Sequence, residues 1–245
     1  MVAELARNSI EHVLLDIEGT VSDVRFVYNV MFPFAKKNMA SFLERRWGSE
    51  EVKQAVEQVA LDAGQPANRW NSPDGSSDRE SLNQHLGQLM SGDSKSTGLK
   101  GLQGLVWKEG FESGELVAEL FPDVLPAMQE WKALGLQVSI YSSGSVLAQK
   151  LFFGHTTQGD LTGLLSGHFD TTTGKKQDSQ SYAKIAAALE LPAKKILFVS
   201  DVAEELIAAQ QAEMQVVASI RDGNKPLGAS YTGPQVPSFG DIKLI

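Results

Sequence analysis

Val13-Leu14-Leu15 is a short, fully apolar run that stops at Asp16 and is followed by Gly19-Thr20. A run with no polar alternation predicts a parallel strand buried on both faces, ending in a turn with a carboxylate at its C-terminal tip. From Ser22 to Gly110 strand-like runs disappear. Val52, Ala55, Val56, Val59 and Ala60 recur at i, i+3, i+4, i+7 and i+8, one face of a helix. The stretch therefore predicts helices, broken by two loops, Gly64 to Ser81 and Ser91 to Gly98, whose Gly, Pro, Ser, Asn and Asp content places them at the surface.

The second half changes rhythm. Asp123 is placed to cap a helix whose Ala127, Met128, Trp131 and Leu134 share one side, Gly135 to close it, and Leu136 to Tyr141 to follow as a strand. That strand ends in Ser142-Ser143-Gly144-Ser145. Helical stretches follow through Val146, Leu147, Lys150 and Leu151 and through Tyr182, Ile185, Ala186 and Leu189, the latter leading by Pro192 to the strand Ile196-Leu197-Phe198-Val199. This strand ends in Ser200-Asp201, and a helix with Leu206, Ala209 and Gln210 and a strand Val216-Val217-Ala218 complete the alternation. Strand and helix in turn predict an α/β fold, a Rossmann-like parallel sheet with helices on both faces, plus an inserted helical domain. From Asp222 the tail is rich in Gly and Pro, with Phe239, Ile242 and Leu244 as anchors back onto the core.

Composition narrows the function. The 245 residues are 42% hydrophobic and 21% charged, enough chain for a buried core, and 22 Lys and Arg against 30 Asp and Glu give a net charge of −8. An acidic chain without a basic cluster is a poor nucleic-acid binder. The absence of cysteine excludes disulfides and thiolate sites and fits a reducing compartment, so any metal must sit on oxygen or imidazole. Met1 to Glu11 carries Glu4, Arg7 and Glu11 rather than an apolar leader, and no later stretch approaches membrane-spanning length. The expectation is a cytoplasmic monomer with no membrane or nucleic-acid partner.

In an open α/β sheet the binding crevice lies beyond the carboxyl ends of the strands. Three ends here are chemically loaded: Asp16, the Ser142-Ser143-Gly144 turn and Asp201. Converging carboxylates repel each other, and a hard divalent cation on oxygen ligands, Mg²⁺ above all, relieves that repulsion. Hydroxyls and backbone N–H groups at a strand-to-helix turn suit a phosphate. Taken singly, an Asp or Ser after a strand is an ordinary cap or turn; three together point to a site.

Asp16-Ile17-Glu18-Gly19-Thr20, Ser142-Ser143-Gly144, Lys176 and Ser200-Asp201 resemble, in order and spacing, the four motifs of the haloacid dehalogenase superfamily. Tyr141 to Val146 with Ala148-Gln149-Lys150-Leu151, Phe153-Gly154-His155 and Gly167-His168-Phe169-Asp170-Thr171 are similar to its enolase-phosphatase (acireductone synthase) family. The likeness runs to Ser219, includes Leu102-Gln103-Gly104 with Trp107, and is weak in Gly64 to Ser91 and in the tail. It implies a core of residues 1–22 and 111–245 with a helical cap at 23–110 that closes over the mouth and excludes water. It also implies the methionine-salvage reaction: 2,3-diketo-5-methylthiopentyl 1-phosphate is enolised, then dephosphorylated to the acireductone, with one Mg²⁺ and no other cofactor.

By position, the resemblance makes Asp16 the phosphoryl-accepting nucleophile and a metal ligand. It makes Glu18 a metal ligand through its backbone carbonyl and Asp201 a further one. Ser142, Ser143 and Lys176 hold the phosphate, Lys176 standing two residues after Gly174 and six before Tyr182, with Lys175 the adjacent alternative. An aspartyl phosphate divides phosphoryl transfer to water into two displacements, and nearby Mg²⁺ and ammonium keep Asp16 ionised. Glu18 stands where most of the superfamily carries a second Asp as general acid and base. The enolising base is open between Glu18 and the substrate's own phosphate. Glu205, four residues after Asp201, is a secondary candidate to orient a metal-bound water or Lys176, against a solvated helix glutamate. Phe26, Tyr28, Phe32 and Trp107 divide between lining a methylthio pocket and simple core; Lys95 and Lys100 read as solvated, and histidines 12, 85, 155 and 168 lack metal-ligand spacing. A phosphatase of another small phosphorylated metabolite, a metal-free hydrolytic dehalogenase and a non-catalytic phosphoprotein-binding module are the alternatives.

Overall fold

Strand β1 (Ala3–Leu5) and strand β2 (His12–Leu15) precede the helical half of the chain, which holds α1 (Val24–Phe26), α2 (Phe32–Arg46), α3 (Glu50–Asp62), α4 (Ser76–Ser91) and α5 (Thr97–Ser113). Then come α6 (Val124–Ala133), β3 (Gln137–Tyr141), α7 (Val146–Gly154), β4 (Gly167–Phe169), α8 (Ser179–Ala188), β5 (Ile196–Ser200), α9 (Ala203–Gln211), β6 (Gln215–Ser219), β7 (Gln235–Val236) and β8 (Ile242–Leu244). This computed structural model describes every residue except 1, 6–8, 71–75, 93, 95 and 245, and the side chains of residues 76 and 77 are also left out. Arg7, Lys95 and parts of both polar loops thus lie outside the described residues. The chain divides into two compact units, residues 1–27 with 117–245, and residues 28–116.

In the larger unit six strands pair in parallel in the order β4-β3-β2-β5-β6-β7, while β1 and β8 form a separate parallel pair. The core strands are covered on both faces, as their unbroken apolar runs require. Leu14, Tyr141 and Phe198 face α8 and α9 with Tyr182, Ile185 and Leu206. The alternate set, Val13, Leu15, Val138, Ile140, Leu197 and Val199, is equally buried, and α6 packs on β3 through a helix face of Val124, Ala127, Met128 and Trp131. The short β4, β7 and β1–β8 elements carry no apolar run and are not predicted by periodicity. Phe239 and Ile242 are buried, anchoring the tail.

Asp123 does not cap α6. Its backbone is already helical (φ −86°, ψ −11°), so the side chain cannot turn back on the first N–H groups. Instead its carboxylate takes both Arg221 guanidinium nitrogens at 3.0 and 2.9 Å and the Phe239 N–H at 2.6 Å, tying α6 to the tail. Arg221 also donates to the Thr20 carbonyl at 3.3 Å.

The smaller unit is helical, its core built from Ala35, Met39, Phe42 and Leu43 of α2, Val52, Val56, Val59 and Ala60 of α3, Leu82 and Leu86 of α4, and Leu99, Leu102 and Val106 of α5. Helix α4 begins five residues before the predicted loop end at Ser81, because Leu82 and Leu86 at i, i+4 recruit the polar turn before them. The joints at 27/28 and 116/117 also fall later than the limits at 23 and 110. Phe26 still belongs with the sheet unit, edge-on to Phe152 at 6.0 Å, and α5 runs on through Gly110, where an added Cβ would stand 2.5 Å from the Phe34 ring. On the larger unit the two ends of this excursion are joined: Ser22 Oγ donates to the Glu119 carbonyl at 2.7 Å and Phe121 N–H to the Val21 carbonyl at 2.9 Å. No helix among the described residues is long and apolar enough to cross a membrane.

Candidate active site

Register brings the loaded strand ends together. Leu15 pairs with Ile140 on one side and Val199 on the other, so Asp16, Ser142 and Asp201 emerge at one end of adjacent strands. The chain leaves β2 toward β3 and β4, then returns to place β5 on its other flank, which makes β2 and β5 the point where connections diverge. Such a divergence opens a crevice at the carboxyl end.

Asp16 is buried, its N–H donating to the Val199 carbonyl at 3.0 Å, and Thr20 Oγ1 lies 3.4 Å from Oδ2. Lys176 Nζ donates to Oδ1 of Asp16 and lies 2.7 Å from Oε2 of Glu205, which also accepts from Ser200 Oγ at 3.0 Å. Neighbouring tyrosines hold the lysine's loop: Tyr182 OH donates to the Lys176 carbonyl at 2.7 Å and Tyr141 OH to the Gly174 carbonyl at 3.0 Å. Lys176 is buried and Lys175 exposed, which separates the two adjacent candidates. Burial alone would lower the Lys176 pKa, but Asp16 and Glu205 outweigh it and hold the ammonium above its usual range.

The carboxylates feel the same crowding in the opposite sense. Asp201 is pushed up to about 7 by burial and then by Asp16 and Glu205. Glu205 is likewise pushed up to about 7, by burial first and by Asp16, with Lys176 pulling it down. Glu18, two residues after Asp16, is raised by burial and by Asp16, and accepts from Ser142 Oγ at 3.2 Å. Ser142 is fully buried and its Oγ takes the Gly144 N–H at 3.1 Å, whereas Ser143 sits exposed at the tip of the turn. Ser145 then caps α7 by accepting from Ala148 N–H at 3.3 Å.

A hard cation fits this donor set. Asp16 is a buried and Asp201 a half-buried oxygen donor, their mutual repulsion only partly met by Lys176, and Gly19 lies at φ +74° with no Cβ where one would stand 2.7 Å from Asp201 Cγ. Among the described residues no three His, Asp or Glu side chains form a metal-holding group. Two carboxylates completed by carbonyl and water oxygens match Mg²⁺, which keeps much of its hydration shell.

The structure thus gathers Asp16, Glu18, Ser142, Lys176, Asp201 and Glu205, with Ser143 at the rim. The histidines lie apart from this cluster or serve as bonding partners: His12 is buried at the opposite end of β2, His85 stacks on Trp70 at 5.2 Å, and His155 and His168 bond to Leu151 and Gln149. Phe26 is core; Tyr28, Phe32 and Trp107 form an aromatic series with centroids 5.8 and 5.9 Å apart in the helical unit, and Lys100 is exposed. Periodicity missed the Thr20 and Ser200 hydroxyls, although each stands beside a loaded strand end.

A Rossmann-like sheet with an inserted helical unit and this cluster defines the haloacid dehalogenase-like hydrolases, and the profile described as "Hydrolase: haloacid dehalogenase-like hydrolase" matches residues 10–213. Enolase-phosphatase E1 of Aquifex aeolicus (strain VF5) is 45% identical over 235 residues, 96% of this chain and 100% of that protein. Enolase-phosphatase E1 of Klebsiella oxytoca is 42% identical over 233 residues, 95% of this chain and 96% of its own. The crystal structure of the UTR4 protein from Saccharomyces cerevisiae aligns at a TM-score of 0.78 with 31% identity, covering 94% of this chain and 98% of that chain. The chain belongs to the enolase-phosphatase E1 family.

Proposed function

We propose that the protein enolises and dephosphorylates 2,3-diketo-5-methylthiopentyl 1-phosphate to the acireductone of methionine salvage, with Asp16 as nucleophile and Mg²⁺ as cofactor. The observation that carries this assignment is the buried Lys176 ammonium seated between Asp16 and Glu205 at the ends of β2 and β5. A cation in that place draws the phosphate dianion onto Asp16.

An Asp16 carboxylate oxygen attacks phosphorus, the bond from phosphorus to the substrate oxygen breaks, and the leaving oxygen needs a proton. Glu18, raised toward its protonated form and two residues away, supplies it and later takes a proton from the water that hydrolyses the aspartyl phosphate. Ser142, Ser143 and Lys176 hold the phosphoryl oxygens, and Glu205 with Ser200 fixes the lysine. Asp16, Asp201 and the Glu18 carbonyl would hold Mg²⁺, which would supply charge neutralisation for the phosphoryl group and Lewis-acid polarisation of the ketone. The helical unit is assigned as the cap.

Incubating the protein with the diketo phosphate and Mg²⁺ while recording near-ultraviolet absorbance and free phosphate tests both half-reactions. The expected result is an enol absorbance that rises before phosphate appears. Phosphate release with no enol would instead assign a plain phosphatase, and turnover that survives a chelator would overturn the metal-dependent mechanism.

A further inference from the structure

Helix α7 buries one amide on a face otherwise made of Leu151, Phe152 and Phe153: Gln149 is 1% exposed. Its Nε2 donates to two backbone carbonyls, Gly144 at 2.9 Å and Phe169 at 2.8 Å. Carbonyls only accept, so the amide nitrogen must face both of them, which uses its two hydrogens and leaves Oε1 as an acceptor. His168 Nδ1 lies 3.1 Å from that oxygen, and the pair is satisfied only when Nδ1 carries the proton. The Phe169 carbonyl in turn accepts the Ser142 N–H at 3.2 Å. One buried amide therefore holds both ends of the Ser142–Ser145 turn, and one histidine holds the amide.

The consequence follows from peptide geometry. Across a trans peptide the carbonyl and the next N–H point in opposite directions. Gln149 draws the Gly144 carbonyl inward, which turns the Ser145 N–H away from the interior, and among the described residues that N–H donates to no protein acceptor. We infer that Gln149, oriented by His168, is a positioning residue of the phosphate site: it locks the Gly144–Ser145 peptide so that the Ser145 N–H joins Ser142 Oγ in binding a phosphoryl oxygen. The inference rests on the phosphatase assignment above and adds to it two residues that never touch the substrate.

Titration calorimetry with inorganic phosphate in the presence of Mg²⁺, alongside steady-state kinetics on the diketo phosphate, tests it. Gln149→Leu is expected to weaken phosphate binding about tenfold, the size of one lost hydrogen bond, and to raise KM by the same factor with kcat within about twofold. His168→Phe is expected to weaken phosphate about threefold, and His168→Asn, whose side-chain N–H replaces Nδ1–H, to restore it. A Gln149→Leu protein that melts like the parent and binds phosphate equally well overturns the inference. If that variant does not fold, the histidine pair decides: equal phosphate affinity in His168→Phe overturns it, and loss rescued by Asn supports it. A parent protein that binds phosphate in a Gln149-dependent way but does not turn over the diketo phosphate leaves the positioning role standing and removes the activity; normal turnover with Gln149-independent phosphate binding does the reverse.

Discussion

Replacing Lys176 by Met removes the buried cation while keeping an unbranched apolar stem, and its cost can be worked from the geometry. The ammonium touches Asp16 and stands 2.7 Å from Glu205. With an effective dielectric of about 20, a pair at that separation gains about 6 kcal/mol of attraction, most of which is offset by desolvation of the charges. Removing one partner leaves the penalty without the gain, and buried pairs broken this way lose about 3–5 kcal/mol. The loss depends on pH. Asp201 and Glu205 already have folded pKa values of about 7, above their unfolded values of 3.8 and 4.5, so their contribution is fully present below about pH 4 and disappears as pH rises through 7. Without the lysine both rise further, and the folded variant escapes its repulsion only by taking up protons. Urea unfolding of metal-free parent and Lys176→Met is expected to differ by about 3–5 kcal/mol at pH 8 and by less than about 2 kcal/mol at pH 5. A difference that is flat across that range, or one that grows as pH falls, would refute the electrostatic account.

Asp16→Asn is expected to cut phosphate release by a factor of about 10⁴ or more; because Lys176 keeps Glu205 as a partner and Asp201 and Glu205 lose the repulsion of Asp16, its melting temperature should stay near that of the parent, checked by phosphate assay and circular dichroism. Gly19→Ala would set a Cβ 2.7 Å from Asp201 Cγ and 2.8 Å from Asn224 Oδ1 at φ +74°, at a cost of about 2–4 kcal/mol, and should shrink the thermal shift that Mg²⁺ produces. His12 is lowered from 6.5 to about 4 by burial, so the folded state holds it neutral; that stability is present above pH 6.5 and lost as pH falls through 4, about 3 kcal/mol in all. Unfolding titrations of His12→Val should lack this acid-side decline.

The strands that build the site were legible because β2, β3, β5 and β6 are buried on both faces and are therefore mostly apolar, Ser139 of β3 being a buried exception. Asp16, Ser142 and Asp201 were legible with them, since each lies at or one residue beyond the point where such a run stops. Lys176 was not: it sits in a loop of no periodicity, and only its resemblance to a known motif marked it. The edge strands β4 and β7 were invisible for a related reason, being two or three residues long with nothing to alternate. Asp123 misled because local chemistry favours it as a cap, whereas Arg221, ninety-eight residues on, offered its carboxylate a stronger partner. Gln149 stands out in the sequence only through the family resemblance; that its amide spans two carbonyls depends on tertiary folding no pattern reveals.

The small clasp joining Ser22 to Glu119 and Val21 to Phe121 has an evolutionary corollary. Because the detour of the chain starts and finishes at one stitched point, whatever is spliced in there can be lengthened, shortened or exchanged without shifting the paired strands that end in Asp16 and Asp201. A lineage is then free to vary the inserted helices at a single seam while the sheet beneath is inherited untouched.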